Sequence, residues 1–94
     1  MKNPSSFADF EAEARAAGFD EVLERRWDAH AVVPEHSHPF SVRAVVASGE
    51  MWLTSAGETR HLRAGDRFEL GHAEPHAERY GSEGAVYWVA RRHA

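Results

Sequence analysis

The apolar positions of this chain change period once, near residue 19. Before that point Phe7, Phe10, Ala14 and Ala17 recur at helical spacing. Ser5 or Ser6 precedes the stripe and can cap it, while Asp9 and Glu11 sit where the helix dipole favours acids. Gly18 suits the residue after the C-cap. The spacing predicts one helix over residues 6–17, which cannot stand alone and must pack on something larger. From Phe19 onward the period is that of strands. Residues 21–27, 31–33, 41–47, 50–54, 58–62, 66–69, 77–80 and 85–90 read as strands. Turn signals fall at Pro34, Ser48-Gly49, Ser55-Ala56-Gly57, Ala64-Gly65-Asp66 and Gly81-Ser82-Glu83-Gly84. Short strands at this spacing predict an antiparallel sandwich or barrel. There is no linker, repeat or low-complexity stretch, so residues 1–94 are expected to form a single domain, with the β body at about 20–92.

Alternation assigns the faces. If His36 points inward, so do His38, Phe40, Val42, Ala44 and Val46, while Arg43, Val45 and Ala47 point outward. An outward Arg43 cannot anchor a ligand in the interior. In the last strand Val86, Trp88 and Ala90 share one face, and Tyr87 and Val89 share the other. Both faces are partly apolar, so the outer one is expected to be covered by the helix or by a second copy in a homodimer. The runs Glu24-Arg25-Arg26 and 11–15 read as solvated faces.

Composition narrows the function classes. Lys and Arg total 11 against 15 Asp and Glu, a formal net charge of −4, which argues against a nucleic-acid partner. Cysteine is absent, which removes disulfides, thiolate metal sites and Cys nucleophiles. No apolar run approaches the ~20 residues of a helical membrane span, and the N-terminus does not read as a signal peptide. A cytoplasmic domain with no membrane contact is expected. Seven histidines stand out, because neutral imidazole is the commonest metal ligand.

His36-Ser37-His38 is the sharpest local signal. Two residues apart on a strand puts both imidazoles on one face, close enough to grip one ion. His76, in Pro75-His76 at the start of a later strand, can be brought opposite the pair by a barrel. Three imidazoles on one ion leave coordination positions open. His72 lies four residues before His76 and is read as a loop residue, and His30, His61 and His93 as surface histidines. Glu35, Glu74 and Glu78 flank the histidines but are not expected as ligands.

These residues resemble the cupin superfamily. Its first motif reads Gly, five residues, His-x-His, three or four residues, Glu, six residues, Gly. His36, His38 and Gly49 match it. The second reads Gly, five residues, Pro-x-Gly, two residues, His, three residues, Asn. Gly65 and His76 match it in register. The resemblance covers roughly residues 27–91. It departs where the glutamate ligand falls on Val42, or on Arg43 in the other register. His30 replaces the opening glycine, and Gly71, Ala73 and Tyr80 replace the second motif's proline, glycine and asparagine.

The resemblance implies an all-β fold, a double-stranded β-helix or jelly-roll cupin barrel, with one short N-terminal helix. It implies a homodimer. It also implies a divalent metal ion, iron, zinc, nickel or manganese, on His36, His38 and His76. The set without a carboxylate is similar to the three-histidine iron site of cysteine dioxygenases, although the likeness does not reach that family's substrate residues. A pocket walled by Phe40, Val42, Phe68 and Trp88 would admit a small-molecule ligand. The activity implied is that of a metal-dependent oxygenase, isomerase or lyase. The alternatives are a non-catalytic ligand-binding or sensing module and a purely structural barrel.

Overall fold

The structure is a computed structural model that describes residue 4 and residues 6–93. Its single helix, α1, runs over Phe7–Ala16. Ser6 is the N-cap, its hydroxyl accepting from the Asp9 N–H at 3.1 Å; Ser5 lies outside the described residues. The helix ends because Gly18 adopts φ +91°. The N–H of Gly18 then reaches the Arg15 carbonyl at 3.0 Å, and that of Phe19 the Ala14 carbonyl at 3.1 Å, closing the last turn.

Six antiparallel strands follow: β1 (Glu21–Trp27), β2 (Val32–His36), β3 (Ser41–Ser55), β4 (Glu58–Arg63), β5 (Arg67–Leu70) and β6 (His76–Arg92). The sequence reading expected eight. It split β3 at Ser48-Gly49 and β6 at residues 81–84, where the structure has bends within continuous strands. The pairing between β3 and β6 shifts register at both bends. Each long strand therefore serves two sheets. The later half of β6 lies between β1 and the early half of β3, with β5 on the far edge. The early half of β6 lies between β2 and the late half of β3, with β4 on the far edge. Two facing sheets joined by shared bent strands make the double-stranded β-helix.

Glycine at the bends is a steric requirement. A Cβ at Gly49 (φ +76°) would lie 2.2 Å from the Gly84 carbonyl oxygen. One at Gly84 (φ +67°) would lie 2.1 Å from the Trp27 carbonyl oxygen. Three strands can meet at this corner only where two of them lack side chains.

Two apolar clusters form. Between the sheets, Val42, Ala44, Val46, Phe68, Tyr87 and Val89 belong to the barrel core. On the outer face, Val45 and Ala90 pack with Phe10, Ala14 and Phe19. The apolar outer face of the last strand is thus covered by α1 of the same chain. Burying Phe10 there is worth roughly 1.5–3 kcal/mol. No helix among the described residues is long and apolar enough to cross a membrane.

Candidate metal centre

His36 ends β2 and pairs directly with His76, the first residue of β6. His38 sits in the loop before β3. Its carbonyl accepts from the Ala73 N–H at 2.8 Å, and its ring stacks on Phe40 at 4.7 Å and 3°. Ring centroids are 4.3 Å apart for His36 and His76, 4.6 Å for His38 and His76, and 5.1 Å for His36 and His38. One nitrogen from each ring lies within 4.8 Å of the others. An ion held by all three would draw these nitrogens closer together, so the trio fits a shared metal ion once the side chains adjust.

Backbone carbonyls orient two of the rings. Nδ1 of His36 lies 2.9 Å from the Pro34 oxygen, and Nδ1 of His76 lies 2.9 Å from the Glu74 oxygen. A carbonyl only accepts, so each Nδ1 donates, which makes Nε2 the nitrogen that a neutral ring would offer to a metal. His38 is pushed down to about 4, first by burial, then by the charges of His76, His36, Arg91 and Arg25. It is therefore in the neutral, metal-binding form at pH 7.

Glu78, not expected as a ligand from the sequence, lies beside the trio. It is only 7% exposed. Its Oε2 lies 3.8 Å from Nε2 of both His36 and His76. Its Oε1 accepts a 2.5 Å hydrogen bond from the Tyr80 hydroxyl. The signal that could have found it is parity: a residue two after His76 on a strand faces the same way. Tyr80, which stands where the cupin motif has asparagine, is 1% exposed and stacks on Trp27 at 5.1 Å. Burial, then neighbouring Tyr87 and Glu78, raise its phenol far above the usual range, so it remains a donor.

The other candidates lie elsewhere. Glu35 and His72 are exposed. Glu74 accepts from the Ser55 hydroxyl at 2.6 Å and the Gly71 N–H at 2.8 Å, and the Ser55 bond, then that of Gly71, lowers its carboxyl below the usual value. His61 pairs with Glu50 and His93 with Glu21, both outside the trio, and His30 is exposed. Arg43 faces outward, as its parity requires, and pairs with Glu69 at 3.1 Å.

A cavity of about 200 Å³ opens beside the three histidines. The structure places Phe40, Val42 and Phe68 in its wall. Trp88 is not in that wall. It shares the parity of Ala90, packs in the outer cluster, and donates its indole N–H to Glu24 at 3.0 Å. Trp27 and Tyr87 line the cavity instead. Arg25 also lines it, so the reading of 24–26 as a wholly solvated run is corrected: Glu24 and Arg26 are exposed, and Arg25 between them is half-buried.

Solved structures share this architecture. A chain from crystal structures of DMSP lyases matches with a TM-score of 0.71 at 19% identity, over 76% of this chain and 37% of that one. An RmlC-like cupin from Shewanella frigidimarina matches at 0.66 and 23%, over 74% and 63%. The polyketide cyclase RemF from Streptomyces resistomycificus matches at 0.67 and 21%, over 85% and 60%. This chain therefore spans less than two thirds of the length of each. No protein-family model and no curated protein matches it. The chain has the cupin fold, in a form that brings three histidines together. That trio, with a carboxylate beside it, could hold a divalent metal ion.

Proposed function

We propose that the chain is a metal-dependent enzyme of small molecules, with a divalent ion on His36, His38 and His76 and the Glu78 carboxylate as a fourth donor. The position of Glu78 carries this reading. A carboxylate buried to 7% exposure has no Lys or Arg partner among the described residues, yet one of its oxygens lies 3.8 Å from two imidazole nitrogens. An uncompensated buried charge is costly, and a cation between the carboxylate and the imidazoles removes that cost. Imidazole with carboxylate suits iron, zinc, nickel or manganese.

When bound, such an ion supplies Lewis acidity toward a ligand oxygen. The chain's own groups do the rest. Tyr80 holds Glu78 by one oxygen, and the carbonyls of Pro34 and Glu74 aim two imidazoles. Phe40, Val42 and Phe68 offer an apolar wall against which a ligand displaces water. The fold likeness to DMSP lyases and a polyketide cyclase supports lyase or cyclase chemistry as within the range the fold accommodates. A binding module without turnover is the alternative, supported if metal and ligand bind and no product forms. Elemental analysis tests the metal. Wild type should carry about one ion per chain, falling to near zero in His36→Ala, His38→Ala and His76→Ala. Metal retained in all three variants refutes the proposal.

A further inference from the structure

Two arginines occupy inward positions of the barrel. On β1 the inward residues are Leu23, Arg25 and Trp27, since Leu23 and Trp27 pack on the barrel core while Val22 packs on the outer cluster. On β6 they are Tyr87, Val89 and Arg91, with Trp88 and Ala90 facing out. Both arginines line the cavity beside the histidines. Each is braced by an aromatic ring: the Arg25 guanidinium carbon is 5.0 Å from the Trp27 ring centroid, and that of Arg91 is 4.9 Å from Phe40. Phe40 in turn stacks on His38, so one ring separates Arg91 from the metal-binding trio.

The protein pairs one of these guanidiniums only in part and gives the other no carboxylate. Among the described residues no carboxylate pairs with Arg25. Arg91 reaches Glu21 through Nη1 at 3.3 Å, while its buried Nε has no hydrogen-bond partner. Arginine inside a barrel is expensive unless something pairs with it. An ion on the trio adds two more positive charges to a cavity whose wall holds one carboxylate, Glu78. The excess is positive, and the donors that present it are planar forks suited to carboxylates.

From this we infer that the cavity takes a small carboxylate anion, its charged end held between Arg25 and Arg91 and its other end directed at the metal. The inference rests on the metal-site reading above. The cavity of about 200 Å³ limits the ligand to a few functional groups, since it equals roughly seven water volumes at ~30 Å³ each. Arginine fixes the charge class, and the apolar wall leaves room for a short carbon chain between the two ends.

The test titrates cobalt(II)-loaded protein calorimetrically with succinate and with its uncharged diamide, recording the cobalt absorption spectrum of each sample. Succinate should bind and the diamide should not. Arg25→Gln and Arg91→Gln should each keep the wild-type cobalt spectrum and weaken succinate roughly tenfold or more, the usual cost of losing a charged hydrogen bond. Arg25→Lys should recover part of the loss. No succinate binding, equal binding of the diamide, or variants that bind succinate as tightly as wild type with the cobalt spectrum intact would each overturn the inference and leave the metal site standing. If cobalt does not bind, the metal reading fails by itself. Succinate is then titrated into metal-free protein, where arginine-dependent binding upholds the anion site and its absence overturns it.

Discussion

Replacing Glu78 by glutamine separates a metal donor from a structural buried acid. The amide keeps the shape of the side chain and can still accept from Tyr80, but it removes the negative oxygen 3.8 Å from the His36 and His76 Nε2 atoms. A unit charge about 4 Å from a divalent ion is worth ~8 kcal/mol at an effective dielectric of ~20, a gross ceiling before desolvation. Losing a group that merely supports a ligand costs 10–100-fold in metal affinity. A direct donor should cost more, so Glu78→Gln is expected to weaken cobalt(II) binding by ~100-fold or more, about 2.7 kcal/mol. The metal-free protein should be as stable as wild type or more so, because an unpaired buried carboxylate has been neutralised. The assay is a chelator competition for cobalt(II), with thermal unfolding of the metal-free form as the control. A folded variant that binds cobalt as tightly as wild type, with the same spectrum, refutes the assignment of Glu78 as a ligand.

Val42 is 6% exposed and lies in the cavity wall, where the cupin motif carries its glutamate. Val42→Glu combined with Glu78→Gln should therefore restore part of the lost metal affinity; a folded double variant no tighter than Glu78→Gln shows that position 42 does not reach the ion. In the folded, metal-free protein His38 titrates at about 4, against ~6.5 when unfolded. The unfolded chain binds more protons in that window, so this contribution is complete above ~6.5 and is lost as pH falls toward 4. Urea unfolding across pH 4–7 should show the decline, and His38→Phe should flatten it; an unchanged slope in that variant counts against the shift. Gly49→Ala should destabilise by about 3 kcal/mol or more, since its Cβ would meet the Gly84 carbonyl at 2.2 Å in a left-handed backbone. A loss below ~1 kcal/mol would mean that the corner relaxes freely.

Much of the centre was legible in order along the chain. The spacing of His36, His38 and His76 named the trio, and the alternation of residues 42–46 set the inward face of β3, because a strand's period leaves a side chain two choices. The same rule placed Arg43 outside and Val42 inside. The helix was readable from its apolar stripe and the glycine beyond it, because capping is local chemistry. Position 88 was misread as pocket wall even though parity had separated it from Val89; the outward face looked like a pocket because it too is apolar.

What remained depended on contacts between distant segments. That Ser48-Gly49 bends a strand instead of ending it is decided by Gly84 and Trp27 arriving at the same corner. That α1 covers the outer face of the last strand requires Phe10 and Ala14 to meet Ala90. Glu78 and Arg25 look like ordinary surface residues in sequence, since charged side chains are usually solvated. Only the closed barrel shows that one meets two imidazoles and the other faces the same cavity. Local pattern determined which residues could serve, because strand period and capping act over a few residues. Tertiary closure decided which of them share one cavity, because that is a property of segments some forty residues apart in the chain.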